Sequence, residues 1–244
     1  MGGYVSRIVF QPPEPTYSPH DLPLISLTTK RGDTIPAFFI DQKSQTTLLF
    51  SHGNATDLGK IYEWFNTLST VFDINVLAYD YGGYGLATGC ASESNCYQDI
   101  DAAYEYLATT LEINPRHIVV YGQSLGSGPS CYLAERLSLA NVRLAGLVLQ
   151  CPFTSIFRVV LDLDFTLPGD MFSNIDRIEN ITCPLFVMHG RKDTVIPFSH
   201  GQALFMAARQ ECKTLSFWSN TAGHNDLEKQ TFFFSRFKQF LNFV

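Results

Sequence analysis

The stretch Tyr121-Gly122-Gln123-Ser124-Leu125-Gly126 decides how the rest of the chain is read. It has the form G-x-S-x-G. An apolar run, Ile118-Val119-Val120-Tyr121, precedes it, and a segment with helical spacing through Cys131, Leu133, Ala134 and Leu137 follows. Strand, sharp turn and helix in that order make this pentapeptide a nucleophile elbow, with the serine at strained backbone angles and its hydroxyl projecting above the sheet. The flanking glycines fit, because a Cβ there would collide with the neighbouring strand and helix. The same letters also describe a Gly/Ser turn with no chemistry. The elbow therefore requires a base and an acid elsewhere in the chain.

Outward from the elbow, strands and helices alternate. Residues 24–29 and 35–40 flank Arg31-Gly32-Asp33 and read as an antiparallel hairpin. Leu48-Leu49-Phe50 is a short strand ending at Ser51-His52-Gly53-Asn54. Leu58, Ile61, Phe65, Leu68 and Phe72 recur at steps of three and four, which predicts a helix over 57–72. A strand at 75–79 ends at the glycine-rich Asp80–Gly85 loop, and a helix over 93–111 follows with Ser92 as its N-cap. Beyond the elbow come strands at 145–149, 185–189 and 214–218, helices over 199–209 and 225–244, and an irregular insertion at about 151–184. Phe233, Phe237, Phe240 and Leu241 form one apolar stripe of the last helix. The central strands are apolar throughout rather than alternating. This predicts one α/β domain over 1–244, with an antiparallel start, a mostly parallel sheet and helices on both faces.

A serine hydroxyl is a poor nucleophile until a base takes its proton, and the base needs an orienting carboxylate. In this topology the order is Ser, then Asp or Glu, then His, each on a loop after a later strand. The loop after 185–189 offers Asp193, and the loop after the last strand offers His224. Asp162, Asp164 and Asp176 fall in the insertion, off the expected loop. His52 and His189 end strands beside glycines and read as positioning groups, while His20, His117 and His200 read as surface or capping residues. The oxyanion of an acyl-transfer intermediate would meet two backbone N–H groups, those of Leu125 and of Asn54 in the His52–Ala55 loop. Phe153, Ile156, Phe157, Val160 and Leu161 recur at helical spacing. Phe153, Phe157, Phe165 and Phe172 are the candidate lining of an acyl groove, against the alternative that the stripe packs on the core.

Other classes drop out. The 244 residues are 45% hydrophobic and 16% charged with net charge −6, a globular composition without a basic footprint for nucleic acid. Gly122–Gly128 lacks the Lys-Ser/Thr of a Walker A loop, Gly82–Gly85 does not fit G-x-G-x-x-G, and no metal-ligand motif is present, so neither cofactor nor metal is expected. Six cysteines without metal or C-x-x-C spacing read as reduced thiols of a cytoplasmic protein. No apolar run reaches membrane-span length, and the start fits no secretory signal. Met1-Gly2-Gly3-Tyr4-Val5-Ser6 does fit the N-myristoylation pattern at Gly2, which predicts peripheral membrane contact once a second signal joins it.

At this point the chain resembles the α/β-hydrolases, and among them the α/β-hydrolase domain-containing "seventeen" depalmitoylase subgroup. The stretches that carry the resemblance are Pro12-Pro13-Glu14-Pro15-Thr16-Tyr17-Ser18, Ser51-His52-Gly53-Asn54-Ala55, Tyr79-Asp80-Tyr81 with Gly83-Tyr84-Gly85, and Tyr121-Gly122-Gln123-Ser124. Asn174-Ile175-Asp176, His189-Gly190 with Asp193, Phe198-Ser199-His200-Gly201 and Ala222-Gly223-His224-Asn225-Asp226 complete it. The elbow and triad are common to many hydrolases; P-P-E-P-T-Y-S and F-S-H-G are much more specific to the subgroup. The resemblance implies the α/β-hydrolase fold, a triad on Ser124, Asp193 and His224, and hydrolysis of palmitoyl thioesters on cysteines of membrane-associated proteins. The cysteine-rich, palmitoylated start of those relatives has no match here, where the first cysteine is Cys90. Two rival readings are a general carboxylesterase or lipid hydrolase, and a catalytically idle scaffold for protein interaction.

Overall fold

A computed structural model describes residues 9–161 and 169–244. The chain divides into two compact units, Met1–Val119 and Val120–Val244. Eight strands and seven α-helices lie among the described residues.

In the first unit, β1 (Leu24–Thr28) and β2 (Thr34–Ile40) form the expected antiparallel hairpin. β2 runs antiparallel to β4 (Asn75–Tyr79), which runs parallel to β3 (Thr47–Ser51). Every residue of β3 and β4 is buried, as their unbroken apolar runs require. Helix α1 (Leu58–Phe72) starts at Asp57, whose carboxylate caps the Lys60 N–H, and turns Leu58, Ile61, Phe65 and Leu68 inward. Helix α2 (Glu93–Glu105) starts on the Ser92 cap and runs on as a π turn over Tyr106–Thr110, which together fill the span predicted from spacing. Thr16 bonds through both its N–H and its hydroxyl to Asp57, and the Tyr17 hydroxyl bonds to Asp80. The P-P-E-P-T-Y-S stretch is thus bolted to the residues that follow β3 and β4.

In the second unit the strand order is β5 (Ile118–Gln123, its first two residues counted with the first unit), β6 (Gly146–Gln150), β7 (Leu185–Gly190), β8 (Lys213–Ser219). β6, β7 and β8 pair in parallel, and β6 and β7 are buried along their whole length. Helix α3 (Ser127–Leu139) follows the elbow. Within the insertion, α4 (Ile156–Leu161) lies where the helical spacing falls, and α5 (Asn174–Arg177) is an element the sequence did not show. The Asn174 amide donates to the Phe153 carbonyl at 2.9 Å and to Ser127 Oγ at 3.2 Å, tying this segment to α3. Helix α6 (Phe198–Ala207) leads to β8, and α7 (Phe233–Leu241) closes the chain.

The last helix is shorter than the predicted 225–244. Asp226 accepts the Gly223 N–H at 2.6 Å, a 3-10 turn follows at Leu227–Lys229, and α7 begins only at Phe233. Its stripe packs as read. Phe233, Phe237 and Phe240 are fully buried, with Phe237 5.8 Å from Tyr121 on β5 and Phe240 5.4 Å from Phe186 on β7, ring centre to ring centre.

Candidate active site

Ser124 stands at the junction of β5 and α3 with φ +51, inside a 3-10 turn, Ser124–Gly126. A non-glycine residue in that region costs on the order of 1–3 kcal/mol, and surrounding structure must hold it there. Two contacts do so. A Cβ on Gly122 would lie 2.4 Å from the Gly126 carbonyl and 2.6 Å from Ser130 Oγ, so only glycine lets strand and helix close this tightly. The Ser127 hydroxyl donates to the Ser124 carbonyl at 2.7 Å.

The other two members of the expected set meet this serine. His224 Nε2 lies 3.0 Å from Ser124 Oγ, and His224 Nδ1 lies 2.7 Å from Asp193 Oδ2. Asp193 follows β7 by three residues; its Oδ1 accepts the Val195 and Ile196 N–H groups, each at 2.9 Å. Its side chain is wholly buried, while 11% of the His224 side chain reaches solvent. Burial alone would raise the Asp193 carboxyl. Hydrogen bonds from His189, His224 and the Ile196 N–H outweigh it and hold the group well below the usual carboxylate range. An ionised acceptor at Oδ2 fixes a proton on His224 Nδ1 and leaves Nε2 free to accept from Ser124. Ser124, His224 and Asp193 therefore have the geometry of nucleophile, base and orienting acid.

Three neighbours were not legible as site residues. Glu228, on the turn after His224, accepts from Gln150 Nε2 at 2.5 Å and from Gln123 Nε2 at 3.4 Å, and the Tyr121 hydroxyl bonds to Gln150 Oε1. This carboxylate ties the histidine loop to the ends of β5 and β6. Cys151, buried just past β6 with φ +45, points its thiol at the His224 carbonyl 3.7 Å away. Burial pushes that thiol well above its ordinary range, so it stands as a neutral group. His200, read from the sequence as a surface or capping residue, is buried and bonds through Nδ1 to the Thr154 hydroxyl at 2.8 Å.

Cys151, His189 and Asp193 bring ligand-type atoms within 4.8 Å of one another, and theirs is the one such group among the described residues. They do not fit a metal. Ile196 O lies 3.0 Å from His189 Nε2, which must carry a proton to meet it, and Asp193 Oδ2 already faces two histidines.

The remaining candidates are placed as follows. Leu125 is buried directly after the nucleophile. Asn54, in the first unit, has its side chain engaged by Val9 O, Gln11 N, Tyr84 Oη and Ala55 N. Phe153 and Phe172 are 2% and 0% exposed and meet edge to face at 6.2 Å. A Cβ on Gly128 of α3 would lie 2.3 Å from the Phe172 ring. These two rings are core packing rather than an open groove, and of the four phenylalanines Phe157 is the partly exposed one that the structure describes. Phe165 and Gly2 lie outside the described residues, as do Asp162 and Asp164.

The model of the alpha/beta hydrolase fold family matches residues 46–172. Alpha/beta hydrolase domain-containing protein 17B of Xenopus tropicalis is 38% identical over 269 aligned residues, covering 98% of this chain and 91% of that protein. The chain belongs to the α/β-hydrolase family. The 17B protein of Homo sapiens is 36% identical to this α/β-hydrolase over 99% of the chain, and the 17C protein of Mus musculus 38% identical over 93% of it, covering 91% and 70% of those proteins. Among solved structures, the Pyrococcus furiosus esterase Pf2001 superposes with TM-score 0.72 at 21% identity over 96% of this chain and 98% of its own. The Rhodococcus esterase RhEst1 gives 0.67 at 18% over 90% and 98%. At those identities the likeness concerns the fold, the α/β-hydrolase fold with its antiparallel start and otherwise parallel strands.

Proposed function

We propose that this α/β-hydrolase is a serine hydrolase that works through an acyl-enzyme, and that its substrates are long-chain acyl thioesters on protein cysteines. The observation that carries the first part is the continuous relay from Ser124 Oγ to His224 Nε2 at 3.0 Å and from His224 Nδ1 to Asp193 at 2.7 Å. His224 takes the serine proton as Oγ attacks the acyl carbonyl. The Leu125 N–H is assigned to the oxyanion. Collapse of the intermediate expels the thiolate, with His224 returning the proton to sulfur. Water then repeats the sequence on the acyl-Ser124 ester and restores the free serine.

The thioester half rests on the likeness to the depalmitoylase subgroup in stretches that the triad does not need, P-P-E-P-T-Y-S and F-S-H-G. A thiolate is a better leaving group than an alkoxide, so this substrate asks less of His224 as an acid. The acyl chain is assigned to the insertion around Phe157. Such substrates lie at the cytoplasmic face of a membrane. No described helix is long and apolar enough to cross one, and a lipid on Gly2 would supply peripheral attachment.

The deciding experiment is incubation with a palmitoylated peptide followed by mass analysis. An acyl adduct on Ser124 and release of free cysteine peptide support the whole reading. Turnover of oxygen esters with palmitoyl-cysteine left intact returns the protein to the general carboxylesterases. Absence of fluorophosphonate labelling at Ser124 in folded protein leaves an idle scaffold.

A further inference from the structure

We infer that His189 is a positioning residue for the Asp193–His224 pair, and that Phe198-Ser199-His200-Gly201 is the seat that holds its ring. This role presupposes the serine-hydrolase chemistry proposed above. His189 is the last residue but one of β7, four residues before Asp193, and both side chains are wholly buried. Its Nε2 lies 3.0 Å from the Ile196 carbonyl and 3.2 Å from Asp193 Oδ2. A carbonyl only accepts, so Nε2 carries a proton, and that proton is shared with the carboxylate.

The other edge of the ring has no acceptor. His189 Nδ1 is buried without a hydrogen-bond partner and faces Gly201, where a Cβ would sit 2.4 Å from it. A second proton there would find nothing to hold it, which fixes the neutral Nε2–H tautomer. Phe198 stands edge-on to the ring at 5.9 Å and is itself held by Trp218 at 5.2 Å and the Arg191 guanidinium at 4.5 Å. His200 anchors the start of α6 to Thr154. Within F-S-H-G, then, Phe198 walls the ring, His200 fixes the helix, and Gly201 makes room. The triad needs none of these residues directly, yet they set the ring that backs its acid.

The consequence falls on Asp193 Oδ2. It accepts from His224 Nδ1 on one side and from His189 Nε2 on the other, while two backbone N–H groups fill Oδ1. The second donor pins the carboxylate and spreads its charge. It thereby moderates the pull of Asp193 on the protonated form of His224. The ionisable groups facing this pair are the Cys151 thiol beyond β6, His189 on β7 and, across Gln150, Glu228. The thiol stays protonated and is a weak donor beside Asp193 in wild type and variants alike, so the His189 series reads the imidazole's share alone.

The test measures the rate of fluorophosphonate labelling of Ser124 against pH in wild type, His189→Leu, His189→Gln and Gly201→Ala. Glutamine keeps an N–H near the Nε2 position; leucine does not. His189→Leu should slow plateau labelling about 10–100-fold, the scale of one hydrogen bond to a charged group. It should also move the acid limb of the profile to higher pH. His189→Gln should recover most of the rate and return the limb towards wild type. Gly201→Ala crowds the ring without touching the triad, and should shift rate and limb in the same direction. If His189→Leu does not fold, Gly201→Ala set against His189→Gln gives the same contrast. A wild-type rate with an unmoved limb in His189→Leu or Gly201→Ala overturns the inference, as does glutamine behaving no better than leucine. Wild-type protein that is not labelled overturns the serine-hydrolase reading instead, and this role with it.

Discussion

Replacing Asp193 by asparagine changes one oxygen for an NH2 group at the most crowded polar point of the site. Four N–H donors converge on that carboxylate: Val195 and Ile196 on Oδ1, His224 and His189 on Oδ2. The amide can keep its oxygen only on one side. With oxygen towards the two backbone N–H groups, its NH2 meets His224 Nδ1. His224 must then place its proton on Nε2, where it can no longer accept from Ser124. With oxygen towards His224, the NH2 opposes two buried backbone donors, each costing about 1–3 kcal/mol when left unmet. The first arrangement is cheaper, so the variant should fold with the wrong histidine tautomer. Expected is a loss of about 10⁴-fold in kcat, as for the equivalent change in a serine protease triad. Stability should fall by about 1–3 kcal/mol. The pH dependence follows from the same group. Asp193 is held below its ordinary range when folded, so its stabilisation is present above about pH 4 and is lost as pH falls below it. The variant should lose that part of the acid-unfolding slope. Hydrolysis of an activated acyl ester, fluorophosphonate labelling and melts between about pH 3 and 7 measure all three. Activity within about tenfold of wild type would refute the reasoning, since some other acid would then orient His224.

Ser124→Gly should abolish labelling and raise the melting temperature by about 2–4 °C per kcal/mol of relieved strain, whereas Ser124→Ala abolishes labelling without that gain. Gly122→Ala should displace the elbow, because its Cβ would fall 2.4 Å from the Gly126 carbonyl; urea melts should show a loss of about 1–3 kcal/mol with reduced labelling. Phe237→Ala empties a fully buried position between Phe233 and Tyr121 and should cost about 3–5 kcal/mol by denaturant titration, with labelling kept wherever the protein is folded.

The triad was legible because each member follows a recognisable strand, unbroken and apolar before Ser124 and Asp193, alternating before His224. Residues 185–189 read as a buried strand and the alternating 214–218 as a half-buried one, and the loops after them offered one acid and one histidine in the required order. The hairpin and α1 were legible for the same reason, their periods being undisturbed. Boundaries failed where a side chain competes with the backbone ladder. Asp226 turns back to the Gly223 N–H, which stops a helix from starting at 225. The insertion reads as irregular because Asn174, a residue that usually signals a turn, is buried and bonded to Phe153 O and Ser127 Oγ. Phe153 and Phe172 show why an apolar stripe does not reveal which face it covers: the absent side chain of Gly128, far along the chain, decides it. Glu228 and Gln150 were invisible for a related reason. Their pairing spans 78 residues, and nothing local to either one marks it.

The backbone at Ser124 also bears on how such a protein drifts under mutation. A single base change turns two of the six serine codons into glycine, and at φ +51 that change relaxes the fold while ending the chemistry. A chain kept only as a scaffold would be under steady pressure toward glycine at this position, with gain in stability and nothing to lose. A serine standing there beside a bonded His224 and a buried, ionised Asp193 is the more costly arrangement. Selection for stability alone does not maintain it, whereas selection for turnover does.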